Sequence, residues 1–388
     1  MKILVIIHEG FGGRGGIAKF NRDLLRGLAR SPLVSSITIL PRFRPVDSVA
    51  DLAIESAAAA KLDHRWRAVG GRLWYLWELL RIWRRGERYD LVICGHLRLL
   101  PLLLLVWHPV PRPRWLVLHG VEAWQEFRPF LTGRLLRRIT RVLAVSEFTA
   151  ARFQAWTGFP KERLVLQPNA VNPRFLTPGP KSSALLKHYG LEGRRILMGM
   201  GRLESREQYK GFDQIIEAMP VLLASAPDLA YVICGDGNDR PRLEARVAAL
   251  GLERQVIFTG YIAEAAKLDH YRLADLFVLA GWGEGFGIVL IEAMAVGVPV
   301  IASCLDGSQE AVAGGRLGQI VNPLHRAELI AAIQRGLAGQ GLPSPQRPVP
   351  QMPADDGSPE SIHYWSEENF DRRIAQKLAE VSCSKIAE

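Results

Sequence analysis

Residues Gly281 to Ser303, GWGEGFGIVLIEAMAVGVPVIAS, constrain the fold of this chain more than any other stretch. An apolar strand, Leu276 to Ala280, runs into a loop carrying Gly281, Gly283, Gly285 and Gly287. Ile288 to Val296 read as a helix, and Gly297 closes it in the left-handed conformation that ends helices. After Pro299 a second apolar strand runs from Val300 to Ser303. Strand, Gly-rich turn, helix and strand is how an α/β domain aims helix-terminal N–H groups at a phosphate. Two carboxylates flank the turn, Glu284 in the loop and Glu292 inside the helix. Were all the intervening steps helical, these side chains would lie ~12 Å apart along the axis. Glu284 precedes the helix, so it can fold across the helix mouth while Glu292 addresses another part of a ligand. The pair suits two contacts on one long ligand better than one shared proton. The alternative is a loop acid beside a helix N-terminus and a solvated mid-helix glutamate.

A chain of 388 residues is too long for one ordinary domain and comfortable for two. Its 48% hydrophobic content supports large cores. The opening run Lys2 to Ile7 has strand length and is followed by His8 and Glu9, which is not the layout of a signal peptide. The longest apolar segment, Leu99 to Pro111, falls short of the ~20 residues a membrane span needs. Cys94, Cys234, Cys304 and Cys383 are scattered, without metal-like spacing, as in a reducing, cytoplasmic protein. Charge is unevenly shared. Residues 1–175 hold 28 Lys+Arg against 13 Asp+Glu, net +15, whereas the remainder holds 21 against 26, net −5. A basic first half suggests an anionic surface as partner. No nucleic-acid motif accompanies it, which favours a membrane or a phosphorylated acceptor over nucleic acid.

Met1 to Ile7 reads as a buried first strand, followed by the Gly-rich turn His8 to Gly16 and an amphipathic helix, Ile17 to Ala29. Ile37 to Leu40 reads as a strand, and Val49 to Arg85 as mostly helical. Asp90 to Cys94 and Trp115 to Leu118 are further strands, ending at His96 and His119. A histidine at the C-terminal end of a parallel strand sits where such sheets bind ligands, although a lone histidine is more often structural. Val142 to Val145 is a strand, and Ser146 caps a helix from Glu147 to Thr157. Pro173, Pro178, Gly179 and Pro180 mark a linker. Beyond it the strand Ile196 to Gly199 leads to Arg202 and, before a helix, to Lys210. Two cations near a helix N-terminus are what a diphosphate requires: Arg202 grips oxygens in pairs and Lys210 supplies a point charge. From Gly339 to Pro359 the chain is rich in Pro, Gly, Gln and Ser and reads as a flexible insertion, before a last helix from Trp365 to Val381.

Gly201-Arg202-Leu203 with Lys210-Gly211-Phe212-Asp213, the turn Gly235-Asp236-Gly237 and the opening stretch EGFG…EAMAVGVPVIAS closely resemble the signature of retaining glycosyltransferase family 4. The resemblance spans residues ~10–330 in matching order, most specifically in the second half. Gln167 to Asn172 resembles the family's PNGVD turn, with Ala170 and Asn172 as departures, and Gly307 to Glu310 lies where a GGxxE-like turn is usual. The resemblance implies an α/β protein of GT-B architecture, two Rossmann-like domains whose parallel sheets face across a cleft. It implies an acceptor domain over residues 1–172, joined by a terminal helix over residues 361–388, a nucleotide-sugar domain over residues 173–338, and an insertion over residues 339–360. The implied reaction moves a glycosyl group, with retention, from a nucleotide-diphosphate sugar to a saccharide or lipid-linked acceptor in polysaccharide or glycolipid synthesis. The sugar nucleotide is a co-substrate, and no cofactor is implied.

By the same resemblance Glu284 lies by the sugar hydroxyls, Glu292 by the ribose, His119 by the reacting sugar, and Arg202 and Lys210 at the leaving diphosphate. Gly15, Gly16, Gly235, Asp236, Ile262, Gly285, Phe286 and Gly287 complete the donor site. No Asp-x-Asp occurs in the chain, so a metal-independent reaction is expected. A nucleotide-sugar epimerase of the same fold and a non-catalytic nucleotide-binding protein are the rival readings. The stretch Arg65 to Arg85 adds a further expectation. On a wheel starting at Leu73, Ile82, Tyr75, Leu79, Trp83, Leu76, Leu80, Leu73 and Trp77 cover over half the circumference, with Glu78, Arg81, Arg85 and Trp74 opposite. Such a helix either lies in a membrane interface, peripheral on the inner face of the plasma membrane, or packs its apolar arc as core.

Overall fold

Seven short apolar runs assemble the first sheet. In the computed structural model, which describes residues 1–11, 13–43, 56–104, 112–340 and 362–386, these are β1 (Lys2–Ile7), β2 (Ser36–Pro41), β3 (Leu62–His64), β4 (Leu91–Cys94), β5 (Arg114–Leu118), β6 (Arg141–Ala144) and β7 (Leu164–Leu166). All pair in parallel, in the order β3-β2-β1-β4-β5-β6-β7. The central strands are apolar along their whole length because helices cover both faces of a parallel sheet. Ile3 to Ile7 and Leu91 to Cys94 are accordingly buried. The second sheet repeats the plan with β8 (Arg195–Met200), β9 (Leu229–Cys234), β10 (Val256–Gly260), β11 (Leu276–Val278), β12 (Val300–Ser303) and β13 (Gln319–Val321), in the parallel order β10-β9-β8-β11-β12-β13.

The chain divides into two compact units, Met1–Ala170 with Glu367–Glu388, and Val171–Ser366. Each has its own core and its own parallel sheet, the Rossmann-like plan of an α/β protein. In the first unit, helix α1 (Gly16–Arg30) follows β1 directly. In the second, α3 (Phe212–Ser225) follows β8 and α4 (Ile288–Ala295) follows β11. The last helix, α5 (Glu367–Ile386), packs on α1. Gly27 is the contact point, since a Cβ there would stand 2.9 Å from Asp371 Oδ1. Arg26 pairs with Glu367 at 2.9 Å, Arg30 with Asp371 at 2.9 Å, and Phe20 meets Phe370 edge-on at 5.5 Å.

Several elements differ from expectation. Within 49–85 the described residues hold a short helix (Ser56–Ala59), strand β3, a 3-10 turn (Trp66–Gly70) and only then α2 (Arg72–Arg84). The break at residues 62–64 follows from pairing with β2, which outweighs local helix preference. The helical wheel puts Glu78 with the arginines on the polar side of α2. It is instead 1% exposed on the inward face, where Arg65 at 3.5 Å and Arg81 at 3.6 Å neutralise it. Trp365 belongs to a 3-10 turn (Ile362–Trp365), and α5 begins two residues later. The proposed insertion at 339–360 lies, from residue 341 on, outside the described residues. Among the described residues no helix is long and apolar enough to cross a membrane.

Candidate active site

In the second sheet the chain winds outward through β9 and β10, then returns to place β11 on the other side of β8. The strand order therefore reverses between β8 and β11, and such a reversal point is where open α/β sheets bind ligands. Arg202 and Lys210 follow β8; Glu284 follows β11. The two loops are locked together. Trp282 N–H donates to Tyr209 O at 2.9 Å. Gly211, at φ +80°, has no room for a side chain, because a Cβ would stand 1.8 Å from Ala280 O. Gly283 lies against the Tyr209 ring, which a Cβ would meet at 2.1 Å.

This packing brings four charges into one chain of alternating sign. Arg202 pairs with Glu207, Glu207 stands 3.7 Å from Lys210, and Lys210 Nζ donates to Glu284 Oε1 at 2.5 Å. Burial opposes the Lys210 ammonium, but the charges of Glu284 and Glu207 outweigh it and hold its pKa above the ordinary value. The Tyr209 phenol beside them is pushed up to about 12, first by burial and then by Glu207. Arg202 keeps 60% of its side chain exposed, so it can re-aim toward an entering anion.

Glu284 is fixed through its backbone by Asp306, which accepts its N–H at 2.8 Å and that of Ser308 at 3.0 Å, while Gly307 N–H donates to Glu284 O at 2.9 Å. Asp306 is fully buried, and burial pushes its carboxyl up to about 6 against the pull of these hydrogen bonds. Gly285 and Phe286 are buried in the same loop, Phe286 edge-on to Trp365 at 5.1 Å, and Gly287 at φ +80° caps α4. Gly235, leaving β9, lies so close to Gly201 that a Cβ would reach its carbonyl oxygen at 1.8 Å. The exposed Asp236 beside it accepts Gly237 N–H at 2.9 Å.

Glu292 belongs to a separate network. It is 2% exposed, accepts the Tyr271 hydroxyl at 2.7 Å and pairs with Lys267 at 3.2 Å. Lys267 also holds Glu264 at 2.6 Å. Burial disfavours the Lys267 ammonium, yet Glu292 and Glu264 raise its pKa. The buried Tyr271 phenol is driven well above its ordinary value by burial and then by Glu292. Glu292 is thus neither solvated nor joined to Glu284. Ile262, half-buried in the loop after the edge strand β10, is likewise outside the charge chain.

The first sheet reverses between β1 and β4. Three imidazoles stand at the strand ends there: His8 after β1, His96 after β4 and His119 after β5. His8 and His96 meet edge-on at 4.4 Å, and His96 and His119 lie 5.9 Å apart. Burial, then repulsion from His119, lowers His8 to about 4 and His96 to about 2. Burial also lowers His119, against the pull of Glu122. His119 Nε2 lies 2.8 Å from Gly95 O, so it carries the hydrogen and Nδ1 is the accepting nitrogen. Gly15, at φ +87°, caps α1, and Gly16 is its first residue. Sequence reasoning missed His8, Glu207, Tyr209 and Asp306. His8 sits at the end of the first strand and Glu207 three residues before Lys210, both readable signals. Asp306 had none.

The model for glycosyl transferases group 1 matches residues 186–349, and that for glycosyltransferase family 4 matches residues 14–175. A GDP-mannose-dependent alpha-(1-6)-phosphatidylinositol monomannoside mannosyltransferase of Mycolicibacterium smegmatis is 31% identical over 273 residues, 67% of this chain and 68% of that one. A phosphatidyl-myo-inositol mannosyltransferase of the same organism is 36% identical over 171 residues, 44% of this chain and 42% of its own. Among solved structures, Anabaena HepE in complex with UDP and glucose superposes with a TM-score of 0.71 at 20% identity, covering 99% of this chain and 100% of that one. That likeness is one of fold.

Proposed function

The chain belongs to the group 1 glycosyltransferases of family 4, and on that premise we propose that it transfers a glycosyl group, with retention and without a metal ion, from a nucleotide-diphosphate sugar to a hydroxyl of a lipid-linked saccharide. The observation that carries the donor half is the charge chain at the reversal point of the second sheet, Arg202–Glu207–Lys210–Glu284. Two cations held there by carboxylates are suited to exchange those partners for the oxygens of a diphosphate. As the glycosidic bond to phosphate breaks, negative charge grows on the leaving group, and Arg202 and Lys210 stabilise it. With the leaving group neutralised by side chains, the chemistry has no need of Mg²⁺.

Retention without an enzymic nucleophile fits a front-face substitution. The acceptor hydroxyl attacks from the side the diphosphate leaves, and a diphosphate oxygen takes its proton. Glu284, fixed by Asp306, would then orient the sugar hydroxyls, and catalysis rests on positioning and electrostatics. The acceptor half is supported by the relatives, two of which are named for phosphatidylinositol-based acceptors. In the first unit, His119 offers Nδ1 as an acceptor for a sugar hydroxyl.

A donor panel tests this directly. A nucleotide-diphosphate sugar at a hundred times its Kd adds about 2.7 kcal/mol of stability, a clear rise in Tm. The stabilising donor is then given to a saccharide acceptor in EDTA and the product anomer read by NMR. Transfer with the donor's anomeric configuration is expected. An inverted product, or activity abolished by EDTA and restored by Mg²⁺ or Mn²⁺, contradicts the proposal.

A further inference from the structure

Helix α2 buries one narrow face: Tyr75, Glu78, Leu79 and Ile82, spaced i, i+3, i+4 and i+7. Tyr75 anchors it by donating its hydroxyl to Leu40 O at 3.2 Å. The rest of the apolar arc faces outward. Leu73 is 81% exposed, Trp74 52%, Trp77 43%, Leu80 47% and Trp83 56%, and Trp66 in the preceding turn is 38% exposed. Leu73, Trp77 and Leu80 form one row along the helix. A patch of this kind marks an interaction surface, since packing within the unit does not require it.

Its border is cationic. Arg67, Arg72, Arg84 and Arg85 are exposed, and none is ion-paired among the described residues. Arg81 lies over the Trp77 ring at 5.4 Å. The one acid of α2, Glu78, is buried and neutralised. An open surface cavity of about 540 Å³, exposed to solvent over most of its mouth, lies beside the row and is lined by Trp66, Arg67, Gly70 and Trp74. Gly70 lets the Trp74 ring lie against the backbone, since a Cβ there would stand 2.9 Å from Trp74 Cδ1. Trp66 is held by stacking on His64, 4.8 Å away with planes 4° apart, and His64 meets Phe11 at 5.7 Å. The cavity therefore has one wall fixed to the end of β3 and to the loop after β1, with an arginine beside it.

Charge complementarity selects the occupant. Indoles and leucines on one face with unpaired arginines around them match the headgroup level of an anionic bilayer, where rings bury their apolar bodies and arginines meet phosphates. We propose that α2 and the turn before it dock on an anionic phospholipid bilayer, and that the Trp66–Arg67–Trp74 cavity receives a lipid phosphate headgroup. This deepens the lipid-linked acceptor proposed above, but it rests on the exposed face and not on the transferase chemistry.

The test is flotation of the full chain with vesicles of phosphatidylcholine alone and of phosphatidylcholine mixed with phosphatidylglycerol. Binding to the mixed vesicles only, weakened by added salt, is expected. Arg67→Ala and Arg85→Ala should each reduce partitioning about fivefold, and Trp74→Ala with Trp77→Ala by about tenfold or more. These residues are exposed, so Tm and transfer to a soluble saccharide should stay at wild-type level. No binding to mixed vesicles, equal binding to phosphatidylcholine alone, or unaltered partitioning of all the variants overturns the proposal. So does a dimer in sedimentation velocity that the double tryptophan variant abolishes, because the face would then cover a second copy. Loss of the transferase reading would leave vesicle binding intact, so the two fail separately.

Discussion

Lys210 Nζ and Glu284 Oε1 stand 2.5 Å apart, although 74 residues separate them in the chain. The contact exists because Tyr209 O accepts Trp282 N–H and because Gly211 and Gly283 have no side chains to hold the two loops apart. Glu284 therefore neutralises the Lys210 ammonium and, in the proposed function, also orients the sugar hydroxyls. Glu284→Gln keeps the shape and removes the charge. It should lower kcat/KM by ~10²-fold or more, since in the proposed function this group orients the reacting sugar. Initial rates within threefold of wild type would remove Glu284 from the reaction.

Arg202 and Lys210 share Glu207 as a partner and, in the proposed function, one diphosphate. Arg202→Ala and Lys210→Ala should each slow donor turnover, and the double variant should lose less than the product of the single losses. The Lys210 variant should also melt lower, because Glu284 and Glu207 lose the buried ammonium between them. A strictly multiplicative double variant would mean that the two cations act on different groups.

The chemistry-bearing loops were legible where strand, glycine turn and helix follow one another within a few residues. Gly281 to Ser303 and the segment from Ile196 to Phe212 both carry that local pattern, and the strands and helices fall close to where they were read. What depends on distant neighbours was not legible. β3, β7 and β13 are three residues long each, too short to show a period, and exist through their ladders with β2, β6 and β12. The helical wheel placed Glu78 with the arginines, since it cannot show that Arg65 waits beneath the helix. It likewise could not tell which part of the apolar arc of α2 was core. Asp306 sits in an unremarkable turn, and only the folded loop reveals that it holds the backbone of Glu284.

Asp306 gives the protein a stability term with a definite sign. Its carboxyl ordinarily titrates near 3.8 and is raised to about 6 by burial. Between those values the native state holds a proton that the unfolded state has released, so stability falls as pH rises through this window. At neutral pH the ionised group costs about 3 kcal/mol relative to its unfolded form. Activity should move the opposite way. Below pH 6 the protonated carboxyl no longer offers two accepting oxygens to Glu284 and Ser308, and kcat/KM should drop with an apparent pKa near 6. Urea titrations of wild type and Asp306→Asn at stepped pH should diverge across this window, and the acid limb of the rate profile should shift in the variant. Parallel stability curves and an unmoved acid limb would show that Asp306 does not titrate there.

Glu292 is the residue for which geometry and resemblance pull apart, and one variant separates them. Its oxygens are already taken by Tyr271 and Lys267, which is what a structural carboxylate does. The family pattern assigns it to the ribose hydroxyls of the donor, and a ribose could displace the Tyr271 hydroxyl without leaving the carboxylate unpaired. Glu292→Gln removes the counter-charge of a half-buried lysine that keeps Glu264 as its only other carboxylate partner among the described residues. It should therefore cost about 3 kcal/mol, at the lower end for breaking a buried pair. Tyr271→Phe should cost about 1 kcal/mol, one hydrogen bond. If the ribose contact is real, the Gln variant should also raise KM for the donor about tenfold at temperatures where it is fully folded, while Tyr271→Phe leaves KM unchanged. A Gln variant that melts lower but binds the donor with wild-type KM would make Glu292 a support of the α4 packing and remove it from the donor site.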